Sequence, residues 1–157
     1  MSKAFMAIAI SVFALAAVAA GCGGGDDSSD TSATLTKAEF IEQADAICVK
    51  GNEAIETEVE EFAEDNDVDT ENPTKEQQEE VIATVVAPGT RAQVEEISEL
   101  GAPSGDEETI EAMVESVETG SEELEDDPAK LLGEKSPLEE GSKLARDYGL
   151  KECGEEG

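Results

Sequence analysis

Histidine and tryptophan are absent from the 157 residues, tyrosine occurs once, and only 10 Lys plus Arg stand against 40 Asp plus Glu. Each shortage excludes a class of activity. Without imidazole there is no Ser-His or Cys-His nucleophile pair, and no zinc or copper site built on histidine. With a formal charge of −30 the chain repels phosphate, which excludes nucleic acid as a partner. A cationic protein or a metal ion is the natural counterpart of such a surface. Beyond the amino-terminal apolar run the aromatics are Phe40, Phe62 and Tyr148, all on or beside inward-facing helical stripes, so no ring platform is left for sugars or bases. Gly23 to Gly25 precede no strand or helix start and form no phosphate loop. Carboxylate pairs could serve as acid and base, but forty acidic residues produce such pairs by chance. These absences point away from an enzyme, and no resident cofactor is expected.

What is present begins with an export signal. Residues 1–21 carry one positive charge at Lys3, an apolar run of 17 residues from Ala4 to Ala20, and then small residues. Ala19-Ala20-Gly21-Cys22 has the form of a lipobox, in which the Cys thiol receives a diacylglyceryl group and becomes the new amino terminus. Leu is commoner than Ala at the first of these positions. An uncleaved membrane helix is the competing reading, and it places the rest of the chain on the same side. Two or three acyl chains on Cys22 anchor stably, since each buried CH₂ contributes roughly 0.8 kcal/mol. The expected location is therefore the extracytoplasmic face of the cell membrane. Residues 22–34 then provide the lipidated Cys and a tether rich in Gly, Ser and Asp, with a reach of roughly 20 Å.

Residues 35–157 read as one acidic helical domain. Loss of Lys3 leaves 9 basic against 40 acidic residues, formally −31. This charge is interleaved with Ile, Val, Leu and Ala at helical spacing, which favours a folded domain over disorder. The acidity fits either work in high salt or an ordinary solvated surface.

Thr36 and Glu39 form a capping box, with Leu35 placed to staple onto Phe40, so a helix is predicted from Lys37. Phe40, Ala44, Ile47, Cys48, Gly51, Ile55, Val59 and Phe62 continue one buried stripe to about residue 64. Pro73 and a second box at Thr74 to Gln77 start a second helix, which Pro88-Gly89 must kink or break before it ends at Gly101 and Pro103. A third helix is predicted from Asp106, with Ile110, Met113, Val114, Val117 and Leu124 on one face. Asp127-Pro128 caps a short turn, and Ser136-Pro137 starts a last helix that stops at Gly149, where Leu150 can close the cap. The expected fold is all-α, a small four-helix bundle with a kinked or split second helix.

After lipidation two cysteines remain, Cys48 and Cys153. Export would place both in an oxidising compartment, where they should pair. One acidic cluster has suggestive spacing: Asp65, Asp67, Asp69 and Glu76 fall at positions 1, 3, 5 and 12 of a calcium loop. Thr70 stands where the sharp turn needs Gly, and Asn72 where an apolar residue belongs, so a solvated interhelical loop is the simpler reading. The main functional expectation is a binding or cell-envelope interaction module, and Ca²⁺-dependent binding through this loop is its alternative.

The stretch Thr36 to Cys48, Leu100-Gly101-Ala102-Pro103, and the ending Tyr148-Gly149-Leu150-Lys151-Glu152-Cys153 resemble a group of small, uncharacterised actinobacterial lipoproteins. The resemblance covers the chain from about Leu35 onward. It implies a helical domain hung from a lipobox, with one Cys in the first helix and one at the carboxy terminus, and it implies no reaction.

Overall fold

The computed structural model describes residues 34–154. The export signal, Cys22 and the tether up to residue 33 lie outside the described residues. The described residues form one compact unit that holds both buried clusters. It is a four-helix bundle, as the periodicity predicts, and the described residues contain no strand.

The first helix, α1 (Lys37–Asp65), starts where its caps require. The Thr36 hydroxyl accepts from the Glu39 backbone N–H, and the Glu39 carboxylate accepts from Thr36 N at 2.9 Å. Leu35 packs against the cluster that holds Phe40, as a staple would. The helix ends in a Schellman motif with Asp67, at φ 51°, in the left-handed position that usually takes glycine. Val68 N–H donates to the Ala63 carbonyl and Asp67 N–H to Glu64. The buried stripe is shorter than its periodicity suggests. Phe40, Ala44 and Cys48 are buried, whereas Ile55, Val59 and Phe62 are only half-buried.

The second helix is one rod in three pieces: α2 (Lys75–Val81), a π turn over Ile82–Val86, and α3 (Ala87–Glu99). Pro88 therefore ends nothing. Ala87 N–H reaches back five residues to the Ile82 carbonyl, and this wide turn takes up the backbone where Pro88 has no N–H to give and its ring needs room. Where the rod passes α1 the two helices approach closely. A side chain at Gly89 would meet Ile55 Cγ1 at 2.5 Å, and Gln93 Nε2 donates to Asn52 Oδ1 at 3.1 Å across the same contact. The third helix, α4 (Glu107–Asp126), packs on α3 and is joined to it by an Arg91–Glu125 ion pair of 2.7 Å.

A 3₁₀ turn at Pro128–Lys130 leads to α5 (Glu139–Tyr148). This last helix starts later than Ser136-Pro137 suggests, because those residues form a preceding turn in which Ser136 Oγ accepts from Leu138 N–H. Gly149, at φ 117°, ends it in a second Schellman motif: Leu150 N–H donates to Ala145 and Gly149 N–H to Arg146. Leu150 is buried beneath it.

The main core joins α1, α3, α4, α5 and the tail through Phe40, Ala44, Cys48, Ile97, Met113 and Leu150, among others. At one end Tyr148 meets Phe40 edge to face, with centroids 5.9 Å apart, and the Lys37 ammonium lies 3.8 Å from its ring centre. The Tyr148 hydroxyl donates to Asp106 Oδ2 at 2.7 Å. This engages the carboxylate that precedes α4, and Asp106 makes no side-chain cap bond to its own helix.

Burial, followed by the bond to Asp106 and its charge, holds the Tyr148 phenol above its ordinary value near 10. Below that value the phenol is protonated in both folded and unfolded chains, and its contribution is complete. Above it only the unfolded chain ionises, so stability falls as pH rises toward the folded value. Urea midpoints are expected to drop above about pH 10, and the drop should be smaller in Tyr148→Phe. Parallel profiles for the two proteins would contradict the role given to this hydroxyl.

Candidate functional site

The acidic loop and the two cysteines are the residues that the sequence singles out within the described region, and the structure treats them differently. Asp69 and Glu76 have local structural roles, and Asp65 and Asp67 stand where α1 ends. Asp65 is the last residue of α1, and Asp67 takes the left-handed position of its cap. Asp69 Oδ1 accepts from Glu71 N–H at 3.1 Å, closing a turn on its own backbone. Glu76 stands in the first turn of α2, where a negative charge suits the helix dipole. Among the described residues no three His, Cys, Asp or Glu side chains are gathered in a way that could hold a metal ion.

Cys48 and Cys153 form a disulfide across 105 residues of sequence. The pairing was legible from cysteine count and expected compartment, but the contacts that hold the tail beside it were not. The Asp45 carboxylate, one turn before Cys48, accepts from the backbone N–H of both Lys151 and Glu152 at 3.0 Å. Asp45 and Cys48 lie three residues apart on α1, so one face of that helix grips the tail by hydrogen bonds and by a covalent bond. Arg146 adds a third hold, donating to the Gly154 carbonyl at 2.6 Å.

Beside this junction the bundle is open. A cleft of about 680 Å³ runs between α1 on one side and the segment 131–142 on the other, with α3 and α4 beneath it. Its floor is apolar, with Val94, Ile97 and Met113 buried and Val86 and Val117 half-buried, and the Cys48–Cys153 disulfide closes one end. Asn52, Thr90, Gln93, Ser136 and Ser142 add polar groups along its sides. Four carboxylates, Glu56, Glu134, Glu139 and Glu152, also line it. None of them makes an ion pair with a described residue. The size and the mixture of an apolar floor with a few polar groups suit a small-molecule site, for which about 300 to 1,000 Å³ is usual.

The periodicity missed this cleft because it counts residues as inward without saying whether anything covers them. Ile55 and Val117 are both on predicted inward stripes, and both are half-buried at the opening. The available signal was helix length: the predicted last helix is far shorter than the first.

No family model, curated protein or solved structure matches the chain. Among the described residues no helix is long and apolar enough to cross a membrane.

Because the disulfide closes a loop of 105 residues, removing it is expected to cost about 4 to 5 kcal/mol on chain-entropy grounds. Guanidinium unfolding of Cys48→Ser/Cys153→Ser beside the parent measures this directly. A difference below about 1 kcal/mol would show that Asp45 and Leu150 hold the tail without the bond.

Proposed function

We propose that this chain is a lipid-anchored binding protein displayed on the extracytoplasmic face of the cell membrane, and that its ligand occupies the cleft between α1 and α5. The cleft is the observation that carries this reading. A domain this small needs its large apolar side chains for its core. This one keeps Val94, Ile97 and Met113 in its core but leaves Ile55, Val86, Val117, Leu131 and Leu138 half-buried along an opening of about 680 Å³. Anchoring rests on the lipobox at Cys22, and membership of the lipoprotein group that the sequence resembles belongs to the same proposal. A catalytic role has less support. The chain has no histidine, and among the described residues no lining hydroxyl is hydrogen-bonded to a lining carboxylate.

Nile red, a neutral dye that brightens in apolar surroundings, tests the reading. The domain from Ser32 onward, which contains its whole core, should raise and blue-shift the dye's emission. Ser142→Trp, which places an indole at the cleft wall, should abolish most of the gain while leaving the helical circular dichroism unchanged. Unaltered dye emission with the parent domain, or an equal gain with the variant, would count against a ligand site here.

A further inference from the structure

We infer that the ligand is a small organic cation with an apolar body, of the alkyl- or arylammonium class. This rests on the cleft being a ligand site and adds the chemistry of what enters it. The inference starts from the charges around the opening. Glu56 on α1, Glu134 in the loop, Glu139 at the start of α5 and Glu152 beside the disulfide all line the cleft, and no Lys or Arg lines it among the described residues. The bases next to two of them in sequence, Lys135 and Lys151, are exposed and form no part of the lining. Elsewhere the domain does place bases against its acids: Lys75 with Glu79, Arg91 with Glu125, Lys130 with Glu123, and Lys143 with Asp147. Around the cleft no ion pair of this kind reaches the four carboxylates among the described residues.

An anion entering this opening would meet four like charges, and a neutral apolar molecule would gain nothing from these exposed carboxylates. A cation with an apolar body satisfies both parts at once. Its hydrocarbon covers the half-buried Val86 and Val117 on the floor and Ile55 on the α1 wall, and its ammonium takes the carboxylates at the edge. The volume sets the scale of the ligand. About 680 Å³ matches a drug-sized molecule and is far smaller than a folded partner. The net charge of the whole domain acts in the same direction, raising the concentration of cations near the opening.

Calorimetric titration of the domain from Ser32 onward with three probes of one chain length tests this: octyltrimethylammonium, 1-octanol and octyl sulfate, each below its micellar concentration. The ammonium is expected to bind at least about tenfold tighter than the other two, a difference near 1.4 kcal/mol. Glu56→Gln/Glu139→Gln should remove most of that preference while leaving 1-octanol binding unchanged, and Ser142→Trp should abolish the binding of all three. Octyl sulfate binding as tightly as the ammonium, or a preference that survives both Gln substitutions, overturns the inference. If the three probes bind equally and Ser142→Trp removes them all, the ligand class is wrong and the cleft stands as a site. If none binds, the inference and the reading beneath it both fail.

Discussion

The structure depends on the closure of its carboxy-terminal segment onto the middle of α1. A helix of ten residues does not hold itself together in water, and α5 has ten. The residues after its last turn keep it in place. Gly149 turns the chain back, Leu150 is buried, the Lys151 and Glu152 amides land on the Asp45 carboxylate, and Cys153 bonds to Cys48. These contacts fall within five consecutive residues and meet two positions one turn apart on α1. The order in which they act is set by entropy. Bringing the ends of so long a loop together is costly before any local contact forms, and the covalent bond removes that cost from every later folding event.

The same closure leaves the cleft open. At 1.5 Å per residue α1 runs about 43 Å and α5 only about 15 Å. A short helix pinned at one end of a long one covers the part it reaches, where Phe40, Ala44 and Cys48 are buried. Beyond Cys48 the stripe on α1 continues against α3 and the π turn before it, and Ile55 is half-covered and lines the opening. The close approach at Gly89 holds α1 and α3 together there and fixes one wall. The other wall is the segment from Leu131 to Ser142, which reaches the core through Leu131 and Leu138.

Much of this fold is legible in the sequence, because its local signals agree with one another. Thr36 with Glu39 and Thr74 with Gln77 mark two helix starts to the residue, and Gly149 with Leu150 marks a helix end. Other features were not legible, for separate physical reasons. Asp67 closes α1 from a backbone conformation that favours glycine, which its residue type does not announce. Pro88-Gly89 marks where the second helix is interrupted, but that a π turn over Ile82–Val86 carries it on was not legible. The Asp106 carboxylate sits at a helix start and would be expected to cap it, but bonds Tyr148 from the other end of the domain. The cleft is a property of unequal helix lengths in three dimensions, which a one-dimensional pattern does not contain.

Whether a disulfide persists depends on the compartment. On the proposed anchoring the domain would stand in an oxidising one, where Cys48 and Cys153 stay paired. The intact mass of the protein taken from the membrane fraction, recorded without reductant, tests location and closure together. A chain starting at Cys22, bearing a diacylglyceryl group, and lighter than its reduced form by the two hydrogens lost in forming the bond is the expected result. A full-length chain starting at an unacylated Met1, with the thiols of Cys48 and Cys153 both free, would contradict it.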